Sequence, residues 1–190
     1  MTLIVLWEDR ALGPIHRFGP HAFLTACVAS QLTRDPQGLL RSEAIQGVAC
    51  AGNSNVVRAL ESPTLWNRAS HVVAVLDGDK LHELLGLTGA DAFRLVPPDR
   101  RAAWLGEREA QIRHRAADRG PDLLSVVILE SNLESLLQVI AGEPVKKDPL
   151  TRDKTLQRAF GDTALIRKAM VEMPTWATLV ETVAARLMPP

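Results

Sequence analysis

The stretch that decides the fold is His71-Val-Val-Ala-Val-Leu-Asp77-Gly78-Asp79-Lys80, in which a short apolar run ends in two carboxylates separated by one glycine. Residues 72–76 have the length and the β-branched content of a strand that is buried on both faces, as in a parallel sheet. Ligands of open parallel sheets bind at the carboxyl ends of the strands. The pattern therefore predicts that Asp77 and Asp79 lie at the functional edge of such a sheet, with Gly78 allowing the turn between them.

Two hard oxygen ligands this close together, with no Cys or His beside them, suit Mg²⁺ or Mn²⁺ better than zinc. The alternative is a turn in which Asp79 caps the next helix. A second carboxylate, Glu8, follows another apolar run over residues 3–7. If these two strands are neighbours, Glu8, Asp77 and Asp79 meet at one edge, where their repulsion favours a bound cation or proton uptake.

Composition limits the classes of protein that the chain can belong to. The 190 residues suit one sizeable domain, and the formal net charge of zero gives no overall basic field for nucleic acid. No apolar run approaches the roughly 20 residues that span a bilayer, and the first residues do not have the pattern of a signal peptide. With only Cys27 and Cys50, no disulfide framework is expected. We therefore expect a cytoplasmic protein that does not enter a membrane.

Apolar runs alternate with helical patterns along the chain. Strands are predicted at residues 3–7, within 44–50, at 72–76 and at 124–129. Helices are predicted from Pro20, after the polar loop at 51–55, at 80–87, over 100–118, from Ser131, and twice after residue 150. This alternation is typical of an α/β domain with a mostly parallel central sheet flanked by helices.

The order of these motifs resembles the Toprim family, and in particular its OLD-type (overcoming-lysogenization-defect) and stand-alone nucleases. That family has a glutamate after its first strand, matched by Glu8, and an Asp-x-Asp after its third, matched by Asp77 and Asp79. The loop at 52–56 and the acidic helix start around Glu134 are similar to further family features. Asp9 stands where a glycine is usual.

The resemblance covers about residues 3–140 and implies a Toprim-like domain at 1–142 with an insertion at 86–120. It leaves 143–190 as a C-terminal helical extension packed on that domain. It implies that Glu8, Asp77 and Asp79 hold Mg²⁺ or Mn²⁺ and that Glu134 joins them in catalysis. Ser131 and Glu134 also form a capping box, which is a structural explanation for both, and Glu130 is the alternative additional acid.

Basic and amide side chains supply candidates for contacts with nucleic acid. Lys80 follows the second aspartate, and Asn53 lies in the polar loop, where it can orient a water or a phosphate. A basic excess after residue 145 contains Lys146, Lys147, Arg152 and Lys154, which can follow a phosphate backbone. The alternative for all of these residues is an ordinary turn or a solvated surface.

The function predicted from these residues is Mg²⁺-dependent hydrolysis of phosphodiester bonds in DNA or RNA. The resemblance also implies a separate ATPase partner, for example in antiviral defence against phage, since this chain contains no Walker A motif. One alternative is a catalytically silent Toprim-like subunit that binds or regulates, which Asp9 and the balanced charge favour. Another is a different Mg²⁺-dependent α/β enzyme, such as a phosphatase. The sequence leaves the oligomeric state open.

Overall fold

The sheet is built from four parallel strands. The computed structural model describes residues 2–8, 19–89, 92–118, 120–130, 132–145 and 148–188. The strands are β1 (Leu3–Trp7), β2 (Ile45–Ala49), β3 (His71–Asp77) and β4 (Leu124–Leu129). They lie in the order β2-β1-β3-β4, and every neighbouring pair is parallel. The prediction of an α/β fold with a mostly parallel central sheet is confirmed.

Burial explains which strands have continuous apolar sequences. Every residue of β1 and β4 is buried, and in β3 only the terminal Asp77 is partly exposed. In β2, which forms one edge of the sheet, only Ile45 is buried. Strands that are covered on both faces require apolar side chains at successive positions, and this holds for β4 at the other edge of the sheet as well as for the central strands, whereas the exposed edge strand β2 does not need them. The three buried strands are therefore also the ones that the sequence marks most clearly.

Helices cover both faces of the sheet. The first face packs against α1 (Pro20–Gln31), α2 (Pro36–Arg41), α7 (Leu133–Ala141), α8 (Pro149–Ala159), α9 (Thr163–Glu172) and α10 (Pro174–Leu187). The second face packs against α3 (Asn53–Leu60), α4 (Pro63–Trp66), α5 (Leu81–Leu84) and α6 (Arg101–Arg113). Among the described residues, no helix has the length and apolar character required to cross a membrane.

Alternate residues of each strand supply the two cores. In β1, Leu3, Val5 and Trp7 belong to the first core, whereas Ile4 and Leu6 belong to the second. The helices that follow residue 148 contribute a large part of the first core, including Leu156, Phe160, Ile166, Trp176 and Val180. The segment predicted as an insertion, 86–120, contains α6, which packs against β4.

Gly78 is required by close packing between strands. A Cβ atom at this position would lie 2.7 Å from the backbone oxygen of Leu129, which is the last residue of β4. The space beside Gly78 is therefore already filled by β4, and this contact explains the glycine between Asp77 and Asp79.

We expect Gly78→Ala to lower the free energy of unfolding by about 1–3 kcal/mol, because backbone atoms must shift to admit the methyl group. Gly106→Ala is the matched control, since Gly106 lies inside α6 with open space around its Cα. That change should raise the free energy of unfolding by about 0.5–1 kcal/mol through helix propensity. Urea unfolding measures both, and equal effects of the two substitutions would contradict the packing explanation.

Candidate active site

The topology places a crevice between β1 and β3. The chain leaves β1 for β2 on one side through helices of the first face, and it leaves β3 for β4 on the other side through helices of the second face. Adjacent parallel strands whose connections diverge in this way form a topological switch point, where ligands of open α/β sheets bind. Glu8 directly follows β1, and Asp77 ends β3. Both carboxylates therefore lie at this switch point.

A cavity of about 600 Å³ opens at the same edge. Three acids predicted from the sequence, Glu8, Asp77 and Glu134, line it together, and so do two predicted cations, Lys80 and Arg152. The other lining residues are Trp7, Ala51, Gly52, Asn53, Ser54, Val75, Glu83, Leu84, Leu129, Leu133, Leu137 and Asp148. The cavity thus joins an acidic cluster to an apolar wall.

The carboxyl groups of Glu8 and Asp77 interact directly. Burial is the largest effect that raises the pKa of Asp77, to about 9, followed by the charge of Glu8 and a hydrogen bond with it, and then by Asp79 and Glu134. Burial also raises the pKa of Glu8, while the hydrogen bond with Asp77 and the charge of Lys80 oppose this rise. Asp77 therefore keeps its proton at neutral pH, and its hydrogen bond with Glu8 favours the protonated form of Asp77 and the charged form of Glu8. Glu8 Oε2 is buried and has no hydrogen-bond partner.

Asn53 holds the end of β3 in place. Its Nδ2 donates to the backbone oxygen of Asp77 at 3.0 Å, and its Oδ1 accepts from the backbone nitrogen of Asp77 at 3.2 Å. We expected Asn53 to orient a water or a phosphate, but its amide is engaged with this backbone. Asn53 is a positioning residue that fixes the point from which the Asp77 side chain starts.

The loop after β2 holds Glu8 in a similar way. The Gly52 N–H donates to the backbone oxygen of Glu8. Gly52 has φ +130°, a region that glycine adopts readily, and Ala51 has φ +59°, in the left-handed region that alanine rarely occupies. Such backbone strain persists only where surrounding contacts enforce it, and it concentrates at functional sites. Both residues line the cavity.

Asp79 and Lys80 lie in a 3₁₀ turn, Gly78–Lys80, directly after β3. Both side chains are exposed. The charge of Asp79 reaches Glu8 and Asp77, where it raises the pKa of each, but Asp79 lies outside the cavity lining. The two aspartates of the motif thus differ, because Asp77 is part of the cavity wall and Asp79 is an exposed residue outside the lining.

Glu134 is the additional acid that lines the cavity, and Glu130 is not among the lining residues. The predicted capping box begins at Ser131, which lies outside the described residues. The N-cap of α7 is Asn132, whose Oδ1 accepts from the Ser135 backbone nitrogen at 3.1 Å. The residue that caps α7 is therefore Asn132.

Arg152 and Lys154, the two described members of the predicted basic surface, do not lie in one environment. Arg152 is 9% exposed, its Nε lies 3.0 Å from Asp153 Oδ1, and it lines the cavity. Lys154 is exposed and lies outside the lining. Lys146 and Lys147, like Asp9, lie outside the described residues. Arg152 is therefore a candidate for contact with a ligand in the cavity. Because it is buried, it does not belong to an exposed surface that follows a phosphate backbone.

Trp7, Glu83 and Asp148 are among the lining residues that sequence reasoning missed. Trp7 stacks on Trp176 with ring centroids 6.1 Å apart, and it also lines the cavity. Asp148 caps α8 by accepting from the Thr151 backbone nitrogen at 2.9 Å. The Asp148-Pro149 pair is a helix-start signal, but nothing in the sequence alone brings that helix start to the end of β3.

The donor set fits a hard divalent cation in its chemistry. Among the described residues, no group of three His, Cys, Asp or Glu side chains is close enough to hold one metal ion. Mg²⁺, however, is usually held by one or two carboxylates together with water and substrate phosphates. The Glu8 and Asp77 pair, with an unpartnered buried oxygen on Glu8, meets that smaller requirement.

Comparisons with family models, with curated proteins and with solved structures find no match for this chain.

We expect Asn53→Ala to lower the free energy of unfolding by about 1–3 kcal/mol, since two backbone groups at the end of β3 lose their partners. Asn55→Ala is the control, because Asn55 is exposed and bonds only within its own loop and helix, to Ala51 O at 3.3 Å. Chemical denaturation of both variants tests this difference. A loss of stability in Asn55→Ala as large as in Asn53→Ala would exclude a special role for the Asn53 bridge.

The raised pKa of Asp77 predicts a pH dependence. Its folded-state pKa of about 9 lies above its ordinary value of 3.8, so the folded protein binds more protons between these limits, and stability falls as pH rises through this window. In chelator-treated protein, Asp77→Asn should gain stability relative to wild type from pH 5 to pH 9. Urea unfolding at several pH values gives this difference, and a constant difference would show that Asp77 titrates normally.

Proposed function

We propose that this chain is a Mg²⁺-dependent phosphodiesterase that cleaves nucleic acid. The observation that carries the proposal is the pair of buried carboxyl groups, Glu8 and Asp77, at the switch point of a parallel sheet, inside a cavity that Glu134 also lines. Burying acids together is unfavourable unless protons or cations neutralise them. A divalent ion supplies that neutralisation and, when bound, charge stabilisation for the reacting phosphate.

The residues of the cavity would have separate roles in metal binding, phosphate binding and proton transfer. Glu8 and Asp77 would hold the cation from rigid strand ends, with Asn53 and the Gly52 N–H fixing their backbones. Lys80 and Arg152, on the cavity wall, would attract the anionic phosphate. Glu134 is the candidate general base, because it lines the same cavity and its charge acts on both Glu8 and Asp77.

The wider biological setting belongs to the proposal as well. The resemblance to OLD-type and stand-alone Toprim nucleases supports a cytoplasmic effector that works with a separate ATPase, for example in defence against phage. DNA and RNA are both substrates of the proposed chemistry.

A second candidate function is a catalytically silent subunit that binds nucleic acid or a partner. One observation favours it, namely that no three potential ligands among the described residues are grouped closely enough to hold a metal. In that case Asp77 keeps its proton, and nucleic acid binds without turnover.

Asp77→Asn is expected to lower the rate of Mg²⁺-dependent cleavage at least about a hundredfold, because a bound metal contributes several kcal/mol to the transition state. The control is Asp99→Asn, an exposed acid outside the cavity lining, which should leave cleavage unchanged. Labelled single-stranded and duplex DNA and RNA are incubated with wild type and both variants at increasing Mg²⁺ or Mn²⁺.

Thermal melts with and without Mg²⁺ accompany this assay. Wild type should be stabilised by the ion and Asp77→Asn should not, which separates loss of metal binding from loss of fold. Absence of cleavage on all four substrates, with no stabilisation by either metal, would reject the nuclease and favour the silent subunit.

A further inference from the structure

We infer that the cavity binds one unpaired nucleotide, with its base against the apolar wall and with Trp7 Nε1–H donating a hydrogen bond to it. This inference deepens the proposed function by naming the substrate as a single strand, or a strand end, in place of a paired duplex. It rests on the proposed function for the cleavage step only, because nucleotide binding can be measured separately.

The apolar wall lies directly beside the acidic cluster. Val75 immediately precedes Leu76 and Asp77 on β3, and Leu129 is the end of β4. Leu133, at the start of α7, is the partly exposed member of this wall, whereas Val75, Leu129 and Leu137 are 3% exposed or less. Glu134 follows Leu133 directly in sequence. A phosphate held near the acids through a cation therefore places whatever is attached to it within reach of apolar surface. Phosphate alone leaves that surface without a partner.

Trp7 supplies a polar group that the protein itself does not satisfy. Its side chain is 4% exposed, and its Nε1 is buried without a hydrogen-bond partner. A buried donor left unpaired is unfavourable, so such groups usually have an explanation in function. Trp104 and Trp176 also have unpartnered Nε1 atoms, but neither lines the cavity. Of these three tryptophans, Trp7 is therefore the one that borders the cavity.

The ligand that fits all of these features has an anionic group, an apolar face and hydrogen-bond acceptors on its edge. An unpaired nucleotide has all three, since its base carries a flat apolar face with acceptors around it. A duplex presents mainly its sugar–phosphate edges while its bases stay stacked inside, so it leaves the apolar wall and the Trp7 N–H unused. The volume of about 600 Å³ lies within the range of about 300–1,000 Å³ that accommodates one small molecule.

The first test compares adenosine 5′-monophosphate with ribose 5-phosphate by calorimetry in Mg²⁺. The two share a phosphate and a ribose, so any difference reports the base. We expect adenosine 5′-monophosphate to bind wild type at least tenfold more tightly. Equal affinities, or no binding of either, would overturn the inference, because the cavity would then recognise only the anionic group or nothing.

Two variants locate the base. Leu133→Trp fills the apolar side of the cavity and should weaken binding of adenosine 5′-monophosphate at least tenfold, whereas Leu95→Trp, at an exposed leucine outside the lining, should not. Trp7→Phe keeps an aromatic ring but removes the N–H, and should weaken binding about fivefold, as expected for one hydrogen bond. Trp104→Phe is its control. Folding of each variant is checked by circular dichroism, and wild-type affinity in a folded Leu133→Trp or in Trp7→Phe would refute the inference.

The cleavage assay distinguishes failure of this inference from failure of the proposed function. If wild type cleaves duplex as fast as single strands, the proposed nuclease function is supported and the inference of a single-nucleotide cavity is refuted. If nothing is cleaved but adenosine 5′-monophosphate binds and Leu133→Trp abolishes that binding, the cavity stands and the nuclease falls. Faster cleavage of single strands, lost in Leu133→Trp and kept in Leu95→Trp, supports both.

Discussion

The constraint on which the rest of the molecule depends is the parallel pairing of β1 with β3. In this pairing Leu3 lies opposite His71, and Trp7 lies opposite Val75. These strands are adjacent although β2 lies between them in sequence, so the connections on either side must diverge to opposite faces. The divergence opens the crevice, and the register brings Glu8 level with the end of β3. Without this pairing, nothing in the sequence would bring Glu8 close to Asp77.

The crevice concentrates features that are unfavourable for stability. Ala51 has a left-handed backbone, two carboxyl groups are buried against each other, and Trp7 Nε1 and Glu8 Oε2 lack partners. Local sequence and fold agree at other positions, as in the helix caps supplied by Asp35 and Asp162. Single conflicts also occur outside the cavity, at the left-handed Thr33 and Glu43 and at the unpartnered Nε1 of Trp104, but a group of them around one cavity is expected where structure is maintained for function.

Sequence patterns predicted the elements well and their arrangement only in part. The buried strands could be read from apolar runs, and the acids at their ends from simple adjacency. Strand order is not encoded in any local pattern of the sequence. The sequence therefore could not show that Asp77 lines the cavity while Asp79 lies outside its lining. The same holds for Arg152, whose burial depends on where α8 packs, and for Asn53, whose bridge to Asp77 joins residues 24 positions apart.

The titratable groups that line the cavity limit the chemistry it can perform. Within the described residues, the lining contains no Cys or His. Cys27 belongs to the first core, and burial raises its pKa to about 12, which removes it as a thiolate nucleophile at neutral pH. His71 begins β3 at the opposite edge, where its Nε2 lies 2.9 Å from Ser125 Oγ. What remains in the cavity is carboxyl groups facing two basic side chains, a set that suits a hard cation and a phosphate better than covalent catalysis by a thiol or an imidazole.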